Sequence, residues 1–241
     1  MRELLDVMPE SSARTCLLTR AVEHELIIQK SRFLTLLSPV NTVEEADAVL
    51  RARRAEHPNA THHCTALALG TPLSLQRSHD DGEPGGTAGM PMAQALRGRD
   101  MTDILAIVTR YYGGVKLGAG GLVRAYSAAV TDSLDHAQAD DLLRERVVQE
   151  VTRTSVSYAI AGQFEAQVRQ WAEGSAASLG IEVVETDYAA AKLVIMIAHF
   201  PDATEQVAAA LSELSAGQAE TVTAGWMYAD VPIRPVGEAE R

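Results

Sequence analysis

Only two cysteines, Cys16 and Cys64, occur among 241 residues, too few for a disulfide-stapled scaffold, so reduced thiols are the expectation. Long apolar runs are missing as well. The longest strongly apolar stretch, residues 193–198, is far too short to cross a bilayer. Residues 1–10 mix acids with apolar side chains and show no basic start followed by an apolar run, so neither a secretory signal nor a transit peptide is expected and a cytoplasmic location is. An excess of positive charge is also lacking: 21 Lys and Arg stand against 32 Asp and Glu, a net charge of -11. The imbalance is uneven. Residues 1–137 hold 14 basic and 16 acidic residues and residues 138–241 hold 7 and 16, so the acidity is concentrated in the second part. That balance argues against a broad, non-specific grip on nucleic acid, while it leaves room for a local basic patch in the first part.

What is present is an ordinary apolar and charged content, 46% and 22%, that suits a soluble protein of one or two domains with a packed core. Short strands are expected over residues 25–28 and 33–37, with Lys30-Ser31-Arg32 between or entering them. A helix follows from Val43, capped by Asn41 or Thr42, with Glu44 and Glu45 in its first turn and an end at His57-Pro58. Residues 61–69 read as a strand and Gly70-Thr71-Pro72 as a turn; residues 90–96 read as a short helix, 104–109 as a buried strand and 122–134 as a helix. Residues 138–145 read as a linker. Beyond it the pattern predicts a strand over 146–158, a helix over 164–179, strands over 181–188 and 192–199, a helix over 202–214 and a strand over 221–231. That order, βαββαβ, is the ferredoxin-like signature, with Ala189-Ala190-Ala191 short enough to join the middle strands as a hairpin. The tail after Pro232 is polar.

The most informative stretch runs from His79 to Arg124. An acidic turn, Asp80-Asp81-Gly82-Glu83-Pro84, leads through Gly85-Gly86-Thr87-Ala88-Gly89. A second, basic and glycine-dense turn runs Arg110-Tyr111-Tyr112-Gly113-Gly114-Val115-Lys116-Leu117-Gly118-Ala119-Gly120-Gly121 and joins a buried strand to a helix N-terminus. Free backbone N–H groups at such a helix start could cradle an anion, with Arg110, Lys116 and Arg124 in support. Known nucleotide loops do not match, because Gly118 is followed by Ala119-Gly120 rather than Lys-Ser or Lys-Thr, and the dinucleotide spacing breaks at Val123. The competing reading is that these glycines serve tight turning and close helix-to-strand packing. Of Tyr111 and Tyr112 one belongs to the core, since they alternate along a strand, and the other is free to stack on a base or a partner side chain.

His79, Asp80, Asp81 and Glu83 are competent metal ligands, but their spacing matches no regular cation loop. A solvated turn in which the acids cap Thr87-Ala88 or pair with Arg77 or Arg110 is the plainer reading. His62-His63-Cys64 does not converge on one ion, because His62 and Cys64 share one strand face and His63 the other. Cys64 is expected to be buried.

Together, Asp80-Asp81-Gly82-Glu83-Pro84, Gly86-Thr87-Ala88-Gly89-Met90-Pro91, Arg110-Tyr111-Tyr112-Gly113-Gly114, Leu117-Gly118, Gly120-Gly121-Leu122-Val123 and Arg124-Ala125-Tyr126 closely resemble the IMPACT family, in particular its bacterial YigZ-like branch. Lys30-Ser31-Arg32-Phe33 and Ala60-Thr61-His62-His63-Cys64 look like family positions too, so the resemblance covers residues 17–137. His79 departs from the pattern, which typically has a small polar residue such as Ser there. The resemblance implies an α+β protein whose residues 17–137 are similar to ribosomal protein S5 domain 2, followed by a ferredoxin-like domain over residues 146–232, with residues 1–16 as an extension and 233–241 as a tail. Eukaryotic relatives restrain a kinase that senses uncharged tRNA and carry an extra N-terminal domain. That role is not expected here, where about 16 residues precede the matching region.

Two functions are therefore open. The first is a non-catalytic, translation-associated module that binds RNA, the ribosome or a ribosome-associated protein through Arg110, Tyr111, Tyr112, Gly113, Gly114, Lys116, Gly118, Gly120, Gly121 and Arg124, with Asp80, Asp81, Gly82 and Glu83 as an acidic turn of unassigned role. It needs no cofactor, metal or membrane. The second is a metal- or phosphate-dependent small-molecule hydrolase built on Asp80, Asp81 and Glu83. The acidity of the second part weighs against simple RNA binding and would suit a basic protein surface or a second subunit.

Overall fold

The computed structural model describes residues 4–9, 14–70 and 73–233. Thr71 and Pro72 of the expected turn, the outer parts of the 1–16 extension and the tail from residue 234 lie outside the described residues. The chain divides into two compact units, Ala13–Arg146 with Asp230–Arg241, and Val147–Ala229 with Met1–Ser12.

The first unit is built on a five-stranded antiparallel sheet. Its strands are β2 (Val22–Ile28), β3 (Ser31–Pro39), β6 (Ile104–Tyr111), β4 (His62–Leu69) and β5 (Leu75–His79), in that spatial order. Side chains alternate across a strand, so the sheet has two apolar faces. Phe33, Leu37, Cys64, Ala66, Ala106 and Val108 pack on one of them beneath α2 (Gly89–Arg97) and α3 (Gly118–Ala139). On the other, Leu67, Leu69, Leu105 and Ile107 meet α1 (Val43–Glu56) through Ala46, Val49 and Leu50. Thr42 caps α1, its side chain accepting from the Glu45 N–H, while the Glu45 carboxylate accepts from the Asn41 N–H. A short strand, β1 (Thr15–Leu18), pairs with the first residues of β7 (Leu143–Ser157).

The β2–β3 hairpin closes on Gln29 and Lys30, both at positive φ (45° and 67°). That backbone matches the right-handed twist of the strands but normally recruits Asn or Gly. The turn is held from outside: a Cβ on Gly113 would lie 2.0 Å from the Lys30 carbonyl carbon, so the two backbones touch directly.

In the second unit the elements run β7, α4 (Ala161–Leu179), β8 (Glu182–Tyr188), β9 (Lys192–His199), a 3-10 turn (Pro201–Ala203), α5 (Thr204–Leu214) and β10 (Glu220–Pro232). Their sheet order is β10-β7-β9-β8. Val156, Leu193, Ile195 and Ile197 of the sheet bury against Phe164, Val168, Val207 and Leu211 of the two helices. The protein is thus α+β throughout.

Several boundaries differ from the sequence reading. Residues 138–139 belong to α3 and 143–145 to β7, so the expected linker shrinks to Asp140, Asp141 and Leu142, with Asp141 at φ 55°. Helix α3 starts at Gly118 rather than at residue 122, because Leu117 and Leu122 pack on the core and carry the intervening glycines into the first turn. Strands β1 and β5 were not expected.

Candidate functional site

The acidic turn follows β5 and feeds α2, and its three carboxylates turn to three different protein partners. Asp80 accepts from the backbone N–H groups of Ala88 (3.0 Å), Gly89 (2.7 Å) and Gly86 (2.8 Å), so it caps α2 from eight residues upstream. Burial pushes its carboxyl up, but those three N–H groups favour the charged form more strongly and hold the group below the usual carboxylate range. Asp81, at φ 48°, binds the Arg54 guanidinium at 2.7 Å and the His63 backbone N–H at 2.7 Å.

Glu83 goes inward. Its Oε1 accepts from Arg110 Nη1 at 2.5 Å and from the Tyr126 hydroxyl at 2.7 Å. The imidazole of His62 stands 3.9 Å from Oε2, with its Nδ1 bonded to the Asp81 carbonyl. Cys64 Sγ lies 3.4 Å from the Tyr126 hydroxyl and donates to the Asp80 carbonyl. Burial pushes the Cys64 thiol up to about 12, and burial likewise raises the Tyr126 phenol. Both are therefore neutral at ordinary pH, and neither is an activated nucleophile. Arg110 lies across the Phe33 ring at 5.3 Å and the Tyr112 ring at 5.6 Å, and Ser31 Oγ links it to the Gly113 N–H. This buried network draws on five separated segments: 31–33, 62–64, 80–83, 110–113 and 126.

The glycine turn is the outward counterpart. Gly114 and Gly118 adopt positive φ (84° and 68°) with open space around them, and α3 has neither a side-chain cap nor an acid in its first turn. Gly118, Ala119 and Gly120 are exposed, as are Lys116 and Arg124. The Arg124 guanidinium sits over Gly120, at 3.7 Å from where its Cβ would be. Among the described residues, no carboxylate lies within ion-pair distance of Lys116, Arg124 or Lys30.

The expected binding residues thus part into two groups. Lys116, Arg124, Tyr112, Gly114, Gly118 and Gly120 face solvent, while Arg110 is 5% exposed and committed to Glu83, which withdraws it from any phosphate. Gly113 is half-buried against Lys30, a Cβ on Gly121 would lie 3.0 Å from the Leu117 side chain, and Gly82 adopts φ 88° beside the His62 ring. Tyr111 is half-buried and bonds His57 Nδ1 at 2.9 Å. Of the two arginines offered to the acidic turn, Arg110 takes it and Arg77 does not. Tyr126, Ser31, Phe33 and His62 were not singled out as site residues, although each falls in a quoted motif. Among the described residues, no group of three or more His, Cys, Asp or Glu side chains is placed to hold a metal ion, and no helix is long and apolar enough to cross a membrane.

Comparison with known proteins matches the same segments. The Impact N-terminal domain matches residues 29–134, which contain every member of the buried network. IMPACT family member YvyE of Bacillus subtilis is 44% identical over 150 residues, 62% of this chain and 67% of that protein. IMPACT family member YigZ of Escherichia coli is 50% identical over 109 residues, 44% of this chain and 53% of that protein, so the match spans about half its length. A solved structure described as a hypothetical protein has 32% identity and a TM-score of 0.51, covering 87% of this chain and 96% of its own, in keeping with the α+β fold. Motifs, buried network and relatives converge: the chain belongs to the IMPACT family and is YigZ-like.

Proposed function

We propose that this protein is a non-catalytic, translation-associated binding protein of the cytoplasm, which meets RNA, the ribosome or a ribosome-associated protein through the glycine-rich face of its first unit. One observation carries the reading: the exposed, uncapped start of α3, with Lys116 and Arg124 beside it and no carboxylate partnered to either. Free N–H groups, the positive end of the helix dipole and two available cations suit a phosphate backbone, and exposed Tyr112 offers a ring for stacking. The relation to translation factors rests on fold. Residues 17–137 are read as ribosomal protein S5 domain 2-like and 146–232 as ferredoxin-like, the latter supported by the element order βαββαβ and the strand order β10-β7-β9-β8. The hydrolase reading finds less support, because Asp80, Asp81 and Glu83 each serve a different protein group.

Co-sedimentation of the full chain with ribosomes at two salt concentrations tests this. Binding is expected to weaken as salt rises, and Lys116→Ala/Arg124→Ala is expected to flatten the log–log salt slope by roughly 1.4 for two single-stranded phosphate contacts. Salt-independent association, or a variant that pellets like the parent, would remove the assignment.

A further inference from the structure

On the sheet face opposite α3, helix α1 covers β3 and β6 but leaves a groove against β4 and β5, with a volume of about 480 Å³. That size falls within the ordinary range of small-molecule sites. Leu50, Leu67 and Leu105 give it an apolar lining. Its charged groups are mostly engaged: Arg54 is bound to Asp81, and His63, bonded to Thr109 Oγ1, has its pKa lowered by burial. Two charges remain. Arg77 stands on β5 directly opposite Leu67, and Asp47 stands on α1. Neither has a hydrogen bond or ion pair among the described residues, and both are exposed. His79, two residues along β5 from Arg77 and on the same face, accepts the Asp81 N–H on Nδ1, which leaves its Nε2–H as a donor at the rim.

The groove therefore has donors for an anion on the β5 wall, a carboxylate on the α1 wall and an apolar lining. We infer that it is a binding site for a small zwitterion with an apolar body, a free amino acid or a short peptide, whose carboxylate meets Arg77 and His79 and whose ammonium meets Asp47. A planar guanidinium suits a carboxylate through paired N–H bonds. The inference is independent of the glycine-rich face, since the two lie on opposite faces of the sheet.

Titration of the ¹⁵N-labelled full chain with leucine, dileucine and trileucine, followed by amide chemical shifts, tests it. Saturable shifts are expected at Asp47, Leu67 and Arg77, and the tightest of the three probes distinguishes a free amino acid from a peptide. For that probe, blocking the amine by acetylation or the carboxylate by amidation is expected to weaken binding about tenfold, the scale of one charge-assisted bond. Arg77→Gln should shrink the difference between acid and amide to what the His79 Nε2–H alone contributes, and Asp47→Asn should abolish the difference between free and acetylated amine. Both side chains are exposed and unbonded, so the variants should keep the parent spectrum elsewhere. No saturable shift at the groove, equal binding of the blocked probes, or discrimination unchanged in the variants would overturn the inference.

Discussion

Arg110 Nη1 donates to Glu83 Oε1 at 2.5 Å with both side chains more than nine-tenths buried, so a strand and an acidic turn 27 residues apart in sequence are joined by a charge pair inside the protein. Removing one partner leaves the other charge buried and uncompensated. Arg110→Ala or Glu83→Ala is expected to lower the stability of the first unit by about 3–5 kcal/mol in urea unfolding. Glu83→Leu with Arg110→Met should lose much less than the sum, and Tyr126→Phe about 1–2 kcal/mol. Equal losses for the double and the summed single variants would contradict the pairing.

The Asp80 cap carries a pH signature. Its folded pKa lies below the ordinary value of about 3.9, so its contribution is complete above that value and is lost as pH falls through the lower folded pKa. Asp80→Asn is expected to cost about 1 kcal/mol near neutrality. The gap between parent and variant in urea should close below about pH 4 and stay constant from pH 5 to 8.

Cys16 and Cys64 are both buried, 2% and 0% exposed, and burial raises both thiols. At pH 8 a disulfide reagent such as dithionitrobenzoate should titrate neither thiol in the folded chain and both in guanidinium chloride. Rapid reaction of Cys64 in the folded protein would contradict its place beside Tyr126.

Adjacent glycines should respond very differently to one methyl group. Gly114 has open space around it, so Gly114→Ala meets only the left-handed backbone penalty of about 1–2 kcal/mol. Gly113→Ala drives its Cβ to 2.0 Å from Lys30 and must displace the β2–β3 turn. Thermal melts should show a small shift for the first and a severe loss, or no soluble protein, for the second.

Much of the fold was legible because local rules and tertiary packing agree. Of the two caps the sequence offers for α1, Asn41 and Thr42, it is Thr42 that caps it, and β9 matches its expected limits because 193–198 is a continuous apolar run. Strand β5 (Leu75–His79) escaped because Leu-Gln-Arg-Ser-His has no alternation to read: it is an edge strand, half-buried only at Leu75 and Gln76. The start of α3 escaped because three glycines with low helix propensity are carried by the packing of Leu117 and Leu122. Residue types and motifs marked the site region, but the inward turn of Arg110 depends on strand register and on Tyr126 arriving from α3. Neither is encoded in spacing along the chain.

The division into two units has a spectroscopic consequence. Trp171 and Trp226 both belong to the second unit, whereas the first holds Tyr111, Tyr112 and Tyr126 and no tryptophan. Tryptophan emission therefore reports on the acidic second unit alone, and a transition followed there is blind to the loss of the Glu83–Arg110–Tyr126 network. Helical and sheet ellipticity samples both, so the two signals coincide only if the units unfold as one cooperative body.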